Sequence, residues 1–170
     1  MFGIQGDIDL SHQEVQDFFK EYVFGFMFSD IQREIDLARD YELGHRKDGG
    51  GNLLAALGLL CYTEVMGDIK AAKQGKRNFD AFFNDLGSRY ASFNQTVNVY
   101  DVFRCGMAHE YLVKKNCKSV MRKGSEICGI GQMPNRRHYF VVERYFEDFS
   151  SACQRLYRQL MAQANPTFPK

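Results

Sequence analysis

The chain has 170 residues and a mass of 19.6 kDa, the size of one ordinary domain, so residues 1–170 are expected to form a single domain. Hydrophobic residues make up 45% and charged residues 25%, a globular balance that excludes an intrinsically disordered chain. Twenty-two Lys and Arg against 21 Asp and Glu leave a net charge of +1, which excludes a generally basic nucleic-acid wrapper while allowing a local basic patch.

In chain order, residues 1–10 read as a loose lead-in. Ser11 followed three positions later by Glu14 is a capping box, each residue satisfying a free N–H of the other's turn. Apolar residues then recur at Val15, Phe18, Phe19, Tyr22, Val23, Phe26, Met27, Ile31 and Ile35. This spacing predicts one long helix to about residue 43, with Gly25 a candidate bend and Gly44 a left-handed stop. The polar stretch Gly44–Gly51 reads as a turn, and Asn52 to about Lys73 as a second helix whose first half is apolar nearly all round. Phe79, Phe82, Phe83, Leu86 and Tyr90 mark a third helix, and Val97 to about Leu112 a fourth.

After Lys114 the pattern changes. The segments Glu126–Gly131 and His138–Val142 flank the turn-like Met133–Arg136, and their Tyr, Phe and Val content predicts a short β-hairpin. A last helix is expected from about Glu143 to Ala164, with Tyr145, Phe149, Ala152, Cys153, Leu156, Leu160 and Met161 on one side. The expected fold is all-α: an antiparallel bundle of four to five helices, with a small hairpin before the last. The longest apolar stretch, Leu53 to Val65, is interrupted by Glu64 and falls short of the roughly 20 residues of a membrane span. Five cysteines, no Cys-x-x-Cys pair and no signal-peptide pattern point to a soluble protein of the cytoplasm.

The segment that stands out chemically is Tyr100–Leu112, which places Arg104 and His109 on one predicted helix. An arginine fork holds a phosphate through two parallel hydrogen bonds and keeps its charge near neutral pH. A histidine can take a proton from a ribose 2′-hydroxyl or return one to a leaving oxygen. Together they could cleave RNA without a metal. On an ideal helix the two side chains point about 140° apart, so convergence needs a helix end, a bend or a second subunit. Gly106 lies between them, and Asp101, three residues before Arg104, could steady the guanidinium. The competing reading gives Arg104 a purely structural ion pair and makes His109 a helix-end cap.

Arg104 and His109, within Tyr100-Asp-Val-Phe-Arg-Cys-Gly-Met-Ala-His-Glu110 of a small helical chain, resemble the Arg-x4–6-His signature of the HEPN superfamily. The resemblance implies a helical bundle, commonly a homodimer whose paired motif helices form a composite cleft. It implies metal-independent RNA cleavage in toxin or anti-phage settings, with no cofactor and with an antitoxin protein as a further partner. Arg104 would then engage the scissile phosphate and His109 act as acid or base. Other members only bind nucleotides or have lost activity, so a silent dimerisation or nucleotide-binding module is the alternative. Active members often carry Asn, Asp or His directly after the arginine, where this chain has Cys105. Arg39 and His45 also satisfy the bare spacing, at a helix end.

Around this pair, Glu64 reads either as a supporting carboxylate facing Arg104 or His109, or as part of a solvent face; Asp101 and Glu110 complete the supporting set. Lys114, Lys115, Lys118, Arg136 and Arg137 are candidate RNA-backbone contacts, with a solvated loop as the plainer explanation. Cys105 and His109, one helical turn apart, with Cys117 and Cys128 further on, offer zinc-type ligands. The tight Cys knuckle usual in zinc sites is missing, so no metal is expected. The aromatic stripe Phe18, Phe19, Tyr22 and Phe26 reads as core or dimer interface.

Overall fold

The structure, a computed structural model, describes residues 8–48, 51–110, 117–121, 124 and 128–169. It is mostly helical, with a small three-stranded sheet. Strand β1 (Ile8–Asp9) leads into α1 (His12–Phe18), whose capping box is formed: Ser11 N–H donates to Glu14 Oε2 at 2.8 Å, and Glu14 N–H to Ser11 Oγ at 3.2 Å. The Ser11 backbone N–H, and then the Ser11 hydroxyl, which donates to Glu14 Oε2 at 2.8 Å, hold the Glu14 carboxyl below its ordinary pKa.

The helix continues through a π-helical stretch, Phe19–Met27, into α2 (Phe28–Glu42). Its buried residues are Val15, Phe19, Val23, Met27, Ile31 and Ile35, a repeat of four, and then Ala38, three residues on. Four residues overshoot an α-turn by about 40°, so such a stripe would wind around a plain α-helix. The wider i→i+5 turns undershoot and bring it back to one face. Gly25 permits this: a Cβ there would lie 2.9 Å from the Lys20 carbonyl oxygen, five residues earlier. Tyr22 and Phe26, expected within the apolar stripe, are therefore turned outward, at 50% and 59% exposure. Gly44, at φ 75, ends the rod, with His45 N–H donating to the Asp40 carbonyl at 2.9 Å.

Helix α3 (Asn52–Ala71) is 20 residues long and, by length and composition alone, apolar enough to cross a membrane. It outruns the apolar stretch Leu53–Val65 because Met66, Gly67 and Ile69 extend it. Its buried side, including Ala55, Ala56, Leu59, Leu60, Thr63, Met66 and Gly67, belongs to the core. Gly67 is where α4 (Lys76–Phe83) comes closest, since a Cβ would fall 1.8 Å from the Asn78 carbonyl oxygen. The expected third helix is two: α4, then a tight Asn84–Leu86 turn, then α5 (Ser88–Thr96). Gly87, at φ 149, breaks it in a conformation that side-chain-bearing residues rarely adopt. The fourth helix opens as a π-turn, Tyr100–Cys105, and closes as α6 (Gly106–Glu110).

Where the sequence leads to a two-stranded hairpin, the sheet has three strands in the order β2–β4–β3. Strand β2 (Cys117–Val120) falls inside the basic run read as a loop; it pairs parallel with β4 (His138–Val141), and β3 (Ile130–Gln132) pairs antiparallel with β4. Glu126 and Ile127 lie outside the described residues. Helix α7 (Val142–Met161) buries Tyr145, Phe149, Ala152, Cys153, Leu156 and Leu160 against the core, as its spacing predicts. It stops at Met161, short of Ala164, and the tail returns as β5 (Thr167–Phe168), antiparallel to β1. The core is aromatic, with Phe19, Phe79, Phe82, Phe83, Phe103, Phe140, Tyr145 and Phe149 fully enclosed. The buried Tyr145 hydroxyl is satisfied by the Thr63 hydroxyl at 2.9 Å.

Candidate functional site

The wide turn at Tyr100–Cys105 decides where Arg104 points. In an α-helix Asp101 would share a face with Arg104, three residues on. In the wider turn the fourth neighbour takes that place, and the Arg104 guanidinium carbon stands 5.6 Å over the Tyr100 ring. The carboxylate that reaches Arg104 is then Glu64 of α3, whose Oε2 lies 2.8 Å from Nε. Asp101 is exposed, and its backbone N–H donates to Asn98 Oδ1 at 3.4 Å.

Arg104 and Glu64 keep 23% and 21% side-chain exposure, but Nε and Oε2 themselves are closed off from water. Their contact is a charge pair without the alignment of a hydrogen bond. The part of the guanidinium that meets solvent therefore lies away from Nε. Burial opposes the Arg104 charge, yet Glu64, with Cys61, Tyr100 and Cys105 behind it, holds the pKa above its ordinary value. Burial, and then Glu64, push the Tyr100 hydroxyl up. Burial likewise raises the Cys61 thiol, against the pull of Arg104. Tyr100, four residues before Arg104, is legible as its neighbour from spacing, whereas Cys61 is not, although it precedes Glu64 by three residues on α3.

His109 is exposed on α6, and among the described residues it has no hydrogen-bond or ion-pair partner. The π-turn ends at Cys105, so the stretch from Gly106 to His109 is ordinary α-helix. On an ideal helix of this kind the two positions stand about 140° apart within one chain. Glu110 closes α6. The structure brings Glu64 to Arg104 and leaves His109 exposed on α6.

The second spacing match is absorbed by ion pairs. Arg39 reaches Asp36 at 3.5 Å and Glu143 at 3.6 Å, while exposed His45 lies 4.0 Å from Asp40.

The basic candidates divide. Lys114 and Lys115 lie outside the described residues. Lys118 on β2 and Arg136 and Arg137 in the β3–β4 turn are exposed. The register Cys117↔His138 sets the start of β2 beside the end of that turn, so all three share one end of the sheet. Phe103, next to Arg104 in sequence, packs its ring edge-on to His138, next to Arg137, at 5.5 Å. The basic end of the sheet therefore abuts the motif helix. Among the described residues no group of three His, Cys, Asp or Glu side chains gathers as a metal site. No family model, no curated protein and no solved structure matches this chain.

Proposed function

We propose that this chain is a HEPN-like helical bundle of four to five principal helices that cleaves RNA without a metal, as a toxin or anti-phage effector. The observation that carries the reading is the arrangement along one helix. Arg104 is held at Nε by Glu64 and stays partly exposed, and His109, with no partner among the described residues, stands exposed one to two turns on.

Anchoring at Nε leaves the guanidinium's terminal nitrogens to take a phosphate, while Glu64 limits the motion of the side chain. His109, open to solvent, can exchange protons. Because the two point about 140° apart on one helix, the site is completed by a second copy, so that Arg104 of one chain meets His109 of its partner across a homodimer. Lys118, Arg136 and Arg137, at the sheet end beside Phe103, extend a positive track for the RNA backbone. An antitoxin protein would act by covering this face.

Incubation of the protein with mixed RNA in EDTA, beside Arg104→Ala and His109→Ala, tests the reading. Wild type cleaves, and each variant loses about 100-fold or more. Equal cleavage by all three, or none by wild type, removes it. One observation favours a second reading: Arg104 is already charge-paired, and Cys105 follows it. A catalytically silent dimerisation or nucleotide-binding module would show no cleavage, yet bind a nucleotide with an affinity that Arg104→Ala lowers.

A further inference from the structure

A cleft of about 500 Å³ opens where the first π-helical stretch meets α7, lined by Phe24, Phe28, Gln154, Tyr157 and Arg158. Its walls are rings. Phe24 and Phe28 lie 5.4 Å apart at 59°, and Tyr157 stands edge-on to Phe24 at 5.7 Å and 87°. Each ring is backed by a fully buried one: Phe24 and Tyr157 rest on Phe19 at 5.8 and 5.2 Å, and Phe28 rests on Phe149 at 6.2 Å. The walls are thus fixed from behind and half-exposed in front. None of these residues belongs to the Arg104 site.

The rim carries one charge. Of the three arginines on α7, Arg144 reaches Glu147 and Asp148 at 3.3 Å, and Arg155 donates to the Asp85 carbonyl at 2.6 Å. Arg158 donates Nε–H to the Gln154 carbonyl at 3.2 Å, which orients the guanidinium beside the cleft, and it meets no carboxylate among the described residues. The Gln154 amide adds a neutral donor and acceptor on the same rim.

We infer that this cleft binds a small planar aromatic carboxylate, its ring against Phe24, Phe28 and Tyr157 and its carboxylate on the fork of Arg158. The volume lies in the usual range for small-molecule sites, which pair apolar walls with a few placed polar groups. Three rings at steep mutual angles offer both edges and faces to a flat guest. An oriented guanidinium that meets no carboxylate among the described residues selects a planar anion by two parallel hydrogen bonds. A long π-helical wall is rare backbone, and such turns concentrate at functional sites.

The chain has no tryptophan, so a fluorescent acid can be read without interference. The probe is 2-naphthoate, with neutral 2-naphthamide as control, titrated into the full chain while anisotropy is followed. Naphthoate binds saturably and about tenfold or more tighter than naphthamide. Arg158→Gln, at an exposed position that leaves the fold intact, erases that difference by weakening naphthoate alone. Phe24→Ala weakens both probes, and circular dichroism confirms that it remains folded. Equal affinity for acid and amide, unchanged naphthoate binding in Arg158→Gln, or no saturable binding of either probe overturns the inference.

Discussion

The molecule contains two π-helical segments, and they serve opposite ends. Phe19–Met27 is long, built around Gly25, and keeps a four-residue apolar stripe facing the core. Tyr100–Cys105 is short and swings a charged side chain, Arg104, away from its helix neighbour Asp101 and onto Glu64. The same backbone device thus fixes packing in one place and aims a charged side chain in the other. The helices that carry both segments are tied to α3. The rod meets it through the Tyr62 hydroxyl, which donates to Asp30 Oδ2 at 3.2 Å, and the motif helix through Glu64.

If the first segment serves packing, substitutions there act on stability. Phe19→Ala, at a fully buried position, is expected to cost about 3–5 kcal/mol in chemical denaturation. Gly25→Ala forces a Cβ against the Lys20 carbonyl and is expected to cost about 1–3 kcal/mol. A loss within about 0.5 kcal/mol would mean that the wide turn relaxes freely and that glycine is not what sustains it.

The tie through α3 has a pH signature. Burial, and then the hydrogen bond to Asp30, raise the Tyr62 pKa from 10.0 to about 12. A group raised on folding keeps its full contribution below the unfolded value and loses it as pH climbs through the folded one. Stability should therefore decline between about pH 10 and pH 12, and Tyr62→Phe should flatten that decline. An unchanged slope in the variant would place the tie elsewhere.

For the second segment, a double-mutant cycle on Arg104→Ala and Glu64→Gln should return a coupling of about 1 kcal/mol in stability, because both side chains stay partly exposed. The smallest effect is expected at the outward face of the first: Phe26→Ala, at 59% exposure, should shift stability by less than about 0.5 kcal/mol.

Much of this scaffold can be read from the chain. Ser11 with Glu14, the stop at Gly44 and the stripe on α7 are local signals, and they hold because capping and amphipathic spacing act within a turn or two. The break at Gly87 is hidden, because Phe79, Phe82, Phe83, Leu86 and Tyr90 keep a helical rhythm straight across it. Strand β2 is hidden for another reason: Cys117–Val120 acquires strand character from pairing with β4, 21 residues downstream, not from its own composition. At the candidate site, the residue types on the motif helix are legible, but the choice of Glu64 over Asp101 depends on a π-turn. The four-residue repeat of the first helix is the one sequence trace of such turns, and Tyr100–Cys105 is too short to leave one.

The central claim is that Arg104 and His109 work across two copies of the chain. The most direct test mixes separately purified Arg104→Ala and His109→Ala proteins, lets them exchange partners, and measures RNA cleavage in EDTA. The account predicts that each variant alone is inactive and that the mixture regains a measurable part of wild-type cleavage, because one hybrid site unites an intact Arg104 with an intact His109. A mixture as inactive as its components, beside a wild type that cleaves, would contradict it.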